Sequence, residues 1–175
     1  MNLAHNQLAA QKIRLLVLDV DGVLTDGSIY YSNSGDELKA FNIQDGLGIK
    51  LLQGAGIEVA IITGRSSNLL SRRSEELGIS KVIQGREDKL TALEELLADS
   101  AYELEEIAYM GDDLPDLAVI RRVGLGMTVA NANATVVEHA RWQSSRDGGR
   151  GAVREAAEFI LKAQDKFTAA IEPFL

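Results

Sequence analysis

A parallel α/β sheet flanked by helices, with a projecting β-hairpin, is the fold this sequence predicts, and three observations predict it. Short runs rich in Val, Ile and Leu alternate with longer amphipathic stretches along most of the 175 residues. The runs are nearly continuous in apolar residues, the pattern of strands buried on both faces of a sheet. Acids, hydroxyls and cations gather just after the runs, where an open α/β sheet binds its ligands.

After a polar leader at 1–12, the runs in order are RLLVLDV (14–20), IEVAIIT (57–63), KVI (81–83), EIAYMG (106–111) and VGLGM (123–127). Helices are expected between them at about 45–55, 66–77, 86–98 and 115–122. Pro115 suits a first helical turn, where its missing N–H is harmless. The stretch GSIYYSNSGDELKAF, about 27–41, breaks the rhythm with two β-like runs around NSGD and reads as a hairpin projecting from the sheet. Its SIYY segment exposes aromatic surface unless something covers it. The tail, about 147–175, reads as a flexible glycine-arginine loop and then an amphipathic helix. No repeat or second domain boundary is evident, so 1–175 is expected to be one domain.

Composition sets limits on function. With 46% hydrophobic and 25% charged residues the chain can bury a sizeable core, and with no cysteine it has neither disulfides nor thiolate metal sites. No secretory signal or membrane span is legible, so a cytoplasmic location and no membrane partner are expected. A net charge of -8 argues against nucleic acid, whose phosphates require a basic face, but not against a small anion held by a few local cations.

The strand-end residues are Asp19 and Asp21 after the first run, Thr63, Gly64 and Arg65 after the second, and Gly111, Asp112, Asp113 and Asp116 after the fourth. Lys89 lies early in the helical segment after the third. Taken singly, a DxD is a solvated turn, TGR a capped loop, GDDLPD a helix start and Lys89 a surface lysine. Taken together, in order at successive strand ends, they form a site. Asp19, Asp21 and Asp112 need a counter-ion, and an all-oxygen donor set favours a hard cation such as Mg²⁺. Mg²⁺ commonly shares its shell with phosphate, which suits Arg65, Lys89 and the Thr63 hydroxyl. A carboxylate can attack phosphorus, and a second acid can protonate the leaving oxygen and later activate water.

These residues, DVDGVLT, TGR, Lys89 and GDDLPD in order, resemble the four motifs of the haloacid dehalogenase (HAD) superfamily of phosphohydrolases, over roughly residues 14–129. The resemblance implies a Rossmann-like core in which Asp19 is the nucleophile and Asp21 the general acid/base that also gives the metal a main-chain carbonyl. Thr63 is then the phosphate-binding hydroxyl, Lys89 the neutralising cation, and Asp112 the remaining metal ligand, so the implied metal set is Asp19, Asp21 and Asp112. Asp113 and Asp116 either support metal-bound waters or start a helix.

The spacings from Asp19 to Thr63 and from Thr63 to Lys89 leave no room for a cap domain. GDELKAFNIQDGLGIKLL, GIEVAIITGRSS and GGRGAVRE extend the likeness to the capless 3-deoxy-D-manno-octulosonate (KDO) 8-phosphate phosphatases. That likeness implies a homotetramer in which hairpins form a central barrel, neighbours cover each site, and the tail reaches an adjacent one. It also implies substrate contacts from Asp21, Lys89, Asn42, Ile43, Gln44, Asp45, Gly46, Arg65 and Arg73. Gln44 stands where the family commonly has a basic residue; Arg73 is otherwise a solvated helix residue, and Arg150 binds a substrate carboxylate or docks the loop. A nine-carbon sugar-acid phosphatase, a phosphomutase and a noncatalytic binding subunit remain open at this point.

Overall fold

The computed structural model describes residues 3–175. Its main sheet is formed by β1 Leu15–Leu18, β4 Glu58–Ile62, β5 Lys81–Ile83, β6 Ile107–Met110, β7 Leu125–Thr128 and β8 Trp142–Gln143. All pairings are parallel, in the order β5-β4-β1-β6-β7-β8, so β1 lies between β4 and β6, with Val17 opposite Ala60 and Tyr109. The first run thus becomes a strand with a neighbour on each side and all four residues buried.

Alternation divides β1 between two cores. Leu16 and Leu18 pack with residues of α2 Ile43–Gly54 and α7 Ala152–Ala163, whereas Leu15 and Val17 join Tyr109 and residues of α4 Lys89–Leu97 and α5 Leu117–Ile120. A third intervening helix, α3 Asn68–Leu77, starts on the Ser67 cap and ends on Gly78 at φ 71°.

Three places differ from the sequence reading. The polar leader is helix α1 Leu3–Ala10, which packs on α7 and buries Ala10, although residues 1 and 2 lie outside the described residues. The helix expected at 115–122 is a 3₁₀ turn, Leu114–Asp116, followed by the single-turn α5, because Asp113 and Asp116 form a reciprocal capping box around Pro115. Beyond the fifth run, α6 Ala134–His139 leads to β8, too short to leave an apolar run, where Trp142 stacks on Phe159 of α7 with ring centroids 5.4 Å apart.

The hairpin consists of β2 Tyr30–Tyr31 and β3 Glu37–Leu38, paired antiparallel and separate from the main sheet. Tyr31 is 68% exposed, and Ile29, Tyr30 and Leu38 are exposed with it. In the tail, the Gly149 N–H donates to the Val23 carbonyl at 2.9 Å and the Gly148 N–H to Asn131 Oδ1 at 3.0 Å. This glycine turn therefore sits on the loop after β1 of its own chain, and a Cβ at Gly148 would overlap the Gly22 carbonyl. The helix that follows it, α7, is amphipathic as expected, and a further turn, α8 Phe167–Ile171, ends the chain's α-helical part. Among the described residues, no helix is long and apolar enough to cross a membrane.

Candidate active site

The carboxyl edge of the sheet collects the charged residues. The Asp19 N–H continues the ladder to the Met110 carbonyl at 3.0 Å, and the chain then turns, with the N–H groups of Val23, Leu24 and Thr25 converging on the Val20 carbonyl. Gly22 adopts φ 100°, and a Cβ there would overlap the Asp112 carboxylate, so glycine is what lets the acids of two strand ends approach.

A buried cluster fills the space behind Asp19. Lys89, at the start of α4, places Nζ 2.9 Å from Asp19 Oδ1 and 2.6 Å from Asp116 Oδ1, with its side chain 4% exposed. Tyr109 of β6 donates its hydroxyl to the same Asp116 oxygen at 2.6 Å. The other oxygen of Asp116 accepts the N–H groups of Asp112 and Asp113 at 3.1 and 3.2 Å. Asp116 is thus the hub between the lysine and the loop carrying Asp112.

Electrostatics show what this arrangement lacks. Burial, reinforced by the charge of Asp116, raises Asp19 to about 6 against the pull of Lys89. Burial, with Asp19 and Asp116 adding repulsion, raises Asp112 to about 7. Burial works against the Lys89 ammonium, yet the two aspartates outweigh it and shift it upward. One cation for three converging acids leaves negative charge in excess.

A second network lies on the solvent side. Lys39, just after β3, pairs with Asp21, and its side chain is only 3% exposed. Glu37 accepts from Arg65 Nη2 at 2.8 Å and lies 3.8 Å from Lys39. Arg65 Nε is buried without a hydrogen-bond partner, 3.7 Å from Asp21 Oδ2. Thr63 is buried at the end of β4, its N–H committed to the Ile83 carbonyl. The sequence reading missed Lys39, Glu37 and Tyr109. Glu37 and Lys39 share a strand face by alternation, and a tyrosine within an apolar strand needs a hydroxyl partner when buried; these were the available signals.

The 42–46 segment is organised around helix ends. Asn42 caps α2 by accepting the Gln44 N–H at 2.7 Å and donates to the Gly149 carbonyl at 3.3 Å. Ile43 is 82% exposed and Gln44 is exposed. The buried Asp45 carboxylate accepts the N–H groups of Gly151 and Arg154 at 3.2 and 2.8 Å, which ties the segment to the start of α7. Burial raises this carboxyl despite those bonds. Gly46 leaves room for the Arg73 guanidinium, which also lies over Phe41 and pairs with Glu76 at 3.3 Å. Among the described residues, no hydrogen bond or ion pair links 42–46 or Arg73 to the two acidic networks. Arg150 lies 3.8 Å from Asp26 with its side chain 68% exposed.

The donor chemistry fits a hard divalent cation. Asp19, Asp112 and Asp116 each offer an oxygen within 4.8 Å of the others, and the excess negative charge calls for such an ion. Of the three, Asp116 has both oxygens already occupied by four donors, which leaves Asp19 and Asp112 as the available carboxylates. The Asp21 carboxylate pairs with Lys39 through Oδ1 and has Arg65 Nε 3.7 Å from Oδ2, which leaves its main-chain carbonyl the more suitable donor to an ion.

A parallel sheet that brings two aspartates from one strand, a lysine and an acidic loop to its carboxyl edge defines a HAD-like hydrolase. Residues 79–155 match the model of the haloacid dehalogenase-like hydrolase family. The chain is 51% identical to the KDO 8-phosphate phosphatase of Yersinia pestis over 92% of its own length and 86% of that protein's. It also matches the structure of the KDO 8-phosphate phosphatase from Moraxella catarrhalis, solved with magnesium, phosphate and KDO. The TM-score there is 0.97 and the identity 48%, covering 99% of this chain and 100% of the other. A probable phosphatase from Pseudomonas syringae matches with TM-score 0.96 and 50% identity, covering 98% of this chain and 97% of the other. The chain belongs to the KDO 8-phosphate phosphatase family.

Proposed function

We propose that this protein is a Mg²⁺-dependent phosphomonoesterase that hydrolyses KDO 8-phosphate to KDO and inorganic phosphate, a step in lipopolysaccharide precursor synthesis. The observation that carries the reading is Asp19, a buried carboxylate at the end of β1 with Lys89 Nζ at 2.9 Å and the Asp112 carboxylate beside it. A carboxylate so desolvated is a competent nucleophile when its charge is balanced.

The proposed roles follow the surroundings of each residue. Asp19 attacks phosphorus and becomes an aspartyl phosphate. Asp21 protonates the leaving sugar oxygen, then takes a proton from the water that attacks the intermediate. Lys89 neutralises Asp19 before attack and phosphoryl oxygens after it, while the Thr63 hydroxyl donates to phosphate. Asp19, Asp112 and the Asp21 carbonyl are the proposed Mg²⁺ ligands; the bound ion would offset charge on the phosphoryl oxygens. Arg65, whose Nε has no hydrogen-bond partner, is suited to an anionic group of the substrate. Arg73 and the 42–46 segment are proposed to line the sugar-acid end, with Asn42 and Asp45 fixing the loop through their caps and Ile43, Gln44 and Gly46 presented on it.

The proposed assembly is a homotetramer, supported by the exposed Ile29, Tyr30, Tyr31 and Leu38 of the hairpin, and the proposed location is the cytoplasm. Phosphate release is the direct test, using KDO 8-phosphate, a nine-carbon sugar-acid 9-phosphate and simple sugar phosphates with Mg²⁺ and with EDTA. KDO 8-phosphate should be turned over fastest, and only with Mg²⁺. Preference for the nine-carbon substrate would replace the substrate assignment, and no turnover of any phosphate would end the phosphatase reading.

A further inference from the structure

Tyr109 carries no role in the mechanism above, yet it is wholly buried beside it. It is the largest of the fully buried side chains, and its hydroxyl reaches Asp116 Oδ1, the oxygen that also accepts from Lys89. Asp116 has donors on every side: Lys89 and Tyr109 on one oxygen, the Asp112 and Asp113 N–H groups on the other. Gly111 packs so closely on this carboxylate that a Cβ there would overlap it. A carboxylate with four donors has one orientation, and rotating it would release Lys89 and the Asp112 loop together.

We propose that Tyr109 is a positioning residue for the phosphatase reaction: its hydroxyl locks Asp116, which sets both the Lys89 ammonium against the nucleophile and the loop that presents Asp112. The inference rests on the functional reading above and extends it to a residue that touches neither substrate nor metal. Two features support the hydroxyl as a permanent donor. Tyr109 stands on β6 opposite Val17 of β1, and its ring is wholly buried in the core beneath the site. Burial and the neighbouring Asp116 charge push the phenol well above its ordinary range, so it keeps its proton at any working pH.

The test compares Tyr109→Phe with Thr128→Val. Thr128 is also buried and donates to the Gly111 carbonyl at 2.7 Å, so its variant loses one hydrogen bond to the same loop without touching Asp116. Turnover of KDO 8-phosphate is read alongside calorimetric titration with Mg²⁺ alone. Tyr109→Phe should lower kcat about tenfold with KM within about twofold, and weaken Mg²⁺ binding several-fold, because the carboxylate that anchors both groups loses the donor that fixes its orientation. Thr128→Val should stay close to the parent in both. Parental kcat and Mg²⁺ affinity in Tyr109→Phe would overturn the proposal, as would equal losses in Thr128→Val, which would mark general loosening. An inactive parent protein would instead defeat the phosphatase reading, and the titration with Mg²⁺ alone would still report on Tyr109.

Discussion

The Lys89, Asp19, Asp116 and Tyr109 cluster and the Lys39, Asp21, Glu37 and Arg65 network share one edge of the sheet but are supported in opposite ways. The first stands on adjacent parallel strands, the 3₁₀ turn and the first turn of α4, all its members buried, with Asp116 bonded to four donors. The second hangs partly on a hairpin whose strands are two residues each, and its arginine is 39% exposed. Burial removes the water that would screen or replace a lost partner, so changes in the inner cluster are expensive. A partly solvated pair such as Arg65–Glu37 is worth much less, which suits side chains that must exchange partners as a substrate enters, although Lys39 in the same network is as buried as Lys89. The contrast separates a fixed inner cluster from an outer network whose groups can exchange partners.

The largest break is expected at Asp19. Asp19→Asn keeps the size of the side chain and removes the proposed nucleophile, so turnover should fall by at least about a thousandfold. A phosphate-release assay checks it, and a substantially active variant would reassign the attacking group.

Removing the metal comes next and has a pH signature. Asp19 and Asp112, at about 6 and about 7 against an ordinary 3.8, hold protons in the folded chain that the unfolded chain has released. Stability is therefore full below about pH 4 for these groups and is lost as pH rises through their folded values. In EDTA the melting temperature should fall between pH 5 and pH 8. Mg²⁺ should raise it more at pH 8 than at pH 5, because the ion competes with protons for the same oxygens. Thermal scans across this grid decide the matter, and a Mg²⁺ effect independent of pH would detach the metal from these acids.

The outer network should give smaller effects. Lys39→Met leaves Asp21 with Arg65 alone and should slow turnover about tenfold, more for an alkyl phosphate than for an aryl phosphate whose leaving group needs no proton. Equal slowing of both substrates would show that Lys39 does not act through Asp21. Glu37→Gln should be the mildest, raising KM about two- to fivefold with kcat nearly constant, since the lost partner of Arg65 is partly solvated. A fall in kcat as large as that from Lys39→Met would erase the distinction between the two networks.

Much of the site was legible because of where strands end. Asp19, Thr63 and Asp112 follow apolar runs directly, and in a parallel sheet every such end faces the same edge. Lys89 was harder, since a lysine at a helix start is ordinarily solvated; only the depth of the strand-end acids turns it inward. Lys39 and Glu37 were missed because the hairpin reads as surface, and nothing local shows that it folds back onto Asp21. Asn42 was also legible as a local cap of α2, but the bonds of Asp45 to the start of α7 were not, because they depend on a segment arriving from more than 100 residues away.

By itself the sequence determined the parallel sheet, the order of its apolar runs and the acids at their ends, because these follow from local hydrophobic pattern and chain polarity. Only the tertiary structure decided which oxygens are free. Asp116 is spent on Lys89, Tyr109 and two backbone donors and Asp21 pairs with Lys39, while Asp19 and Asp112 are left close together with charge in excess. Hydrogen-bond partners are fixed by packing between distant segments, and that information does not exist along the chain until it folds.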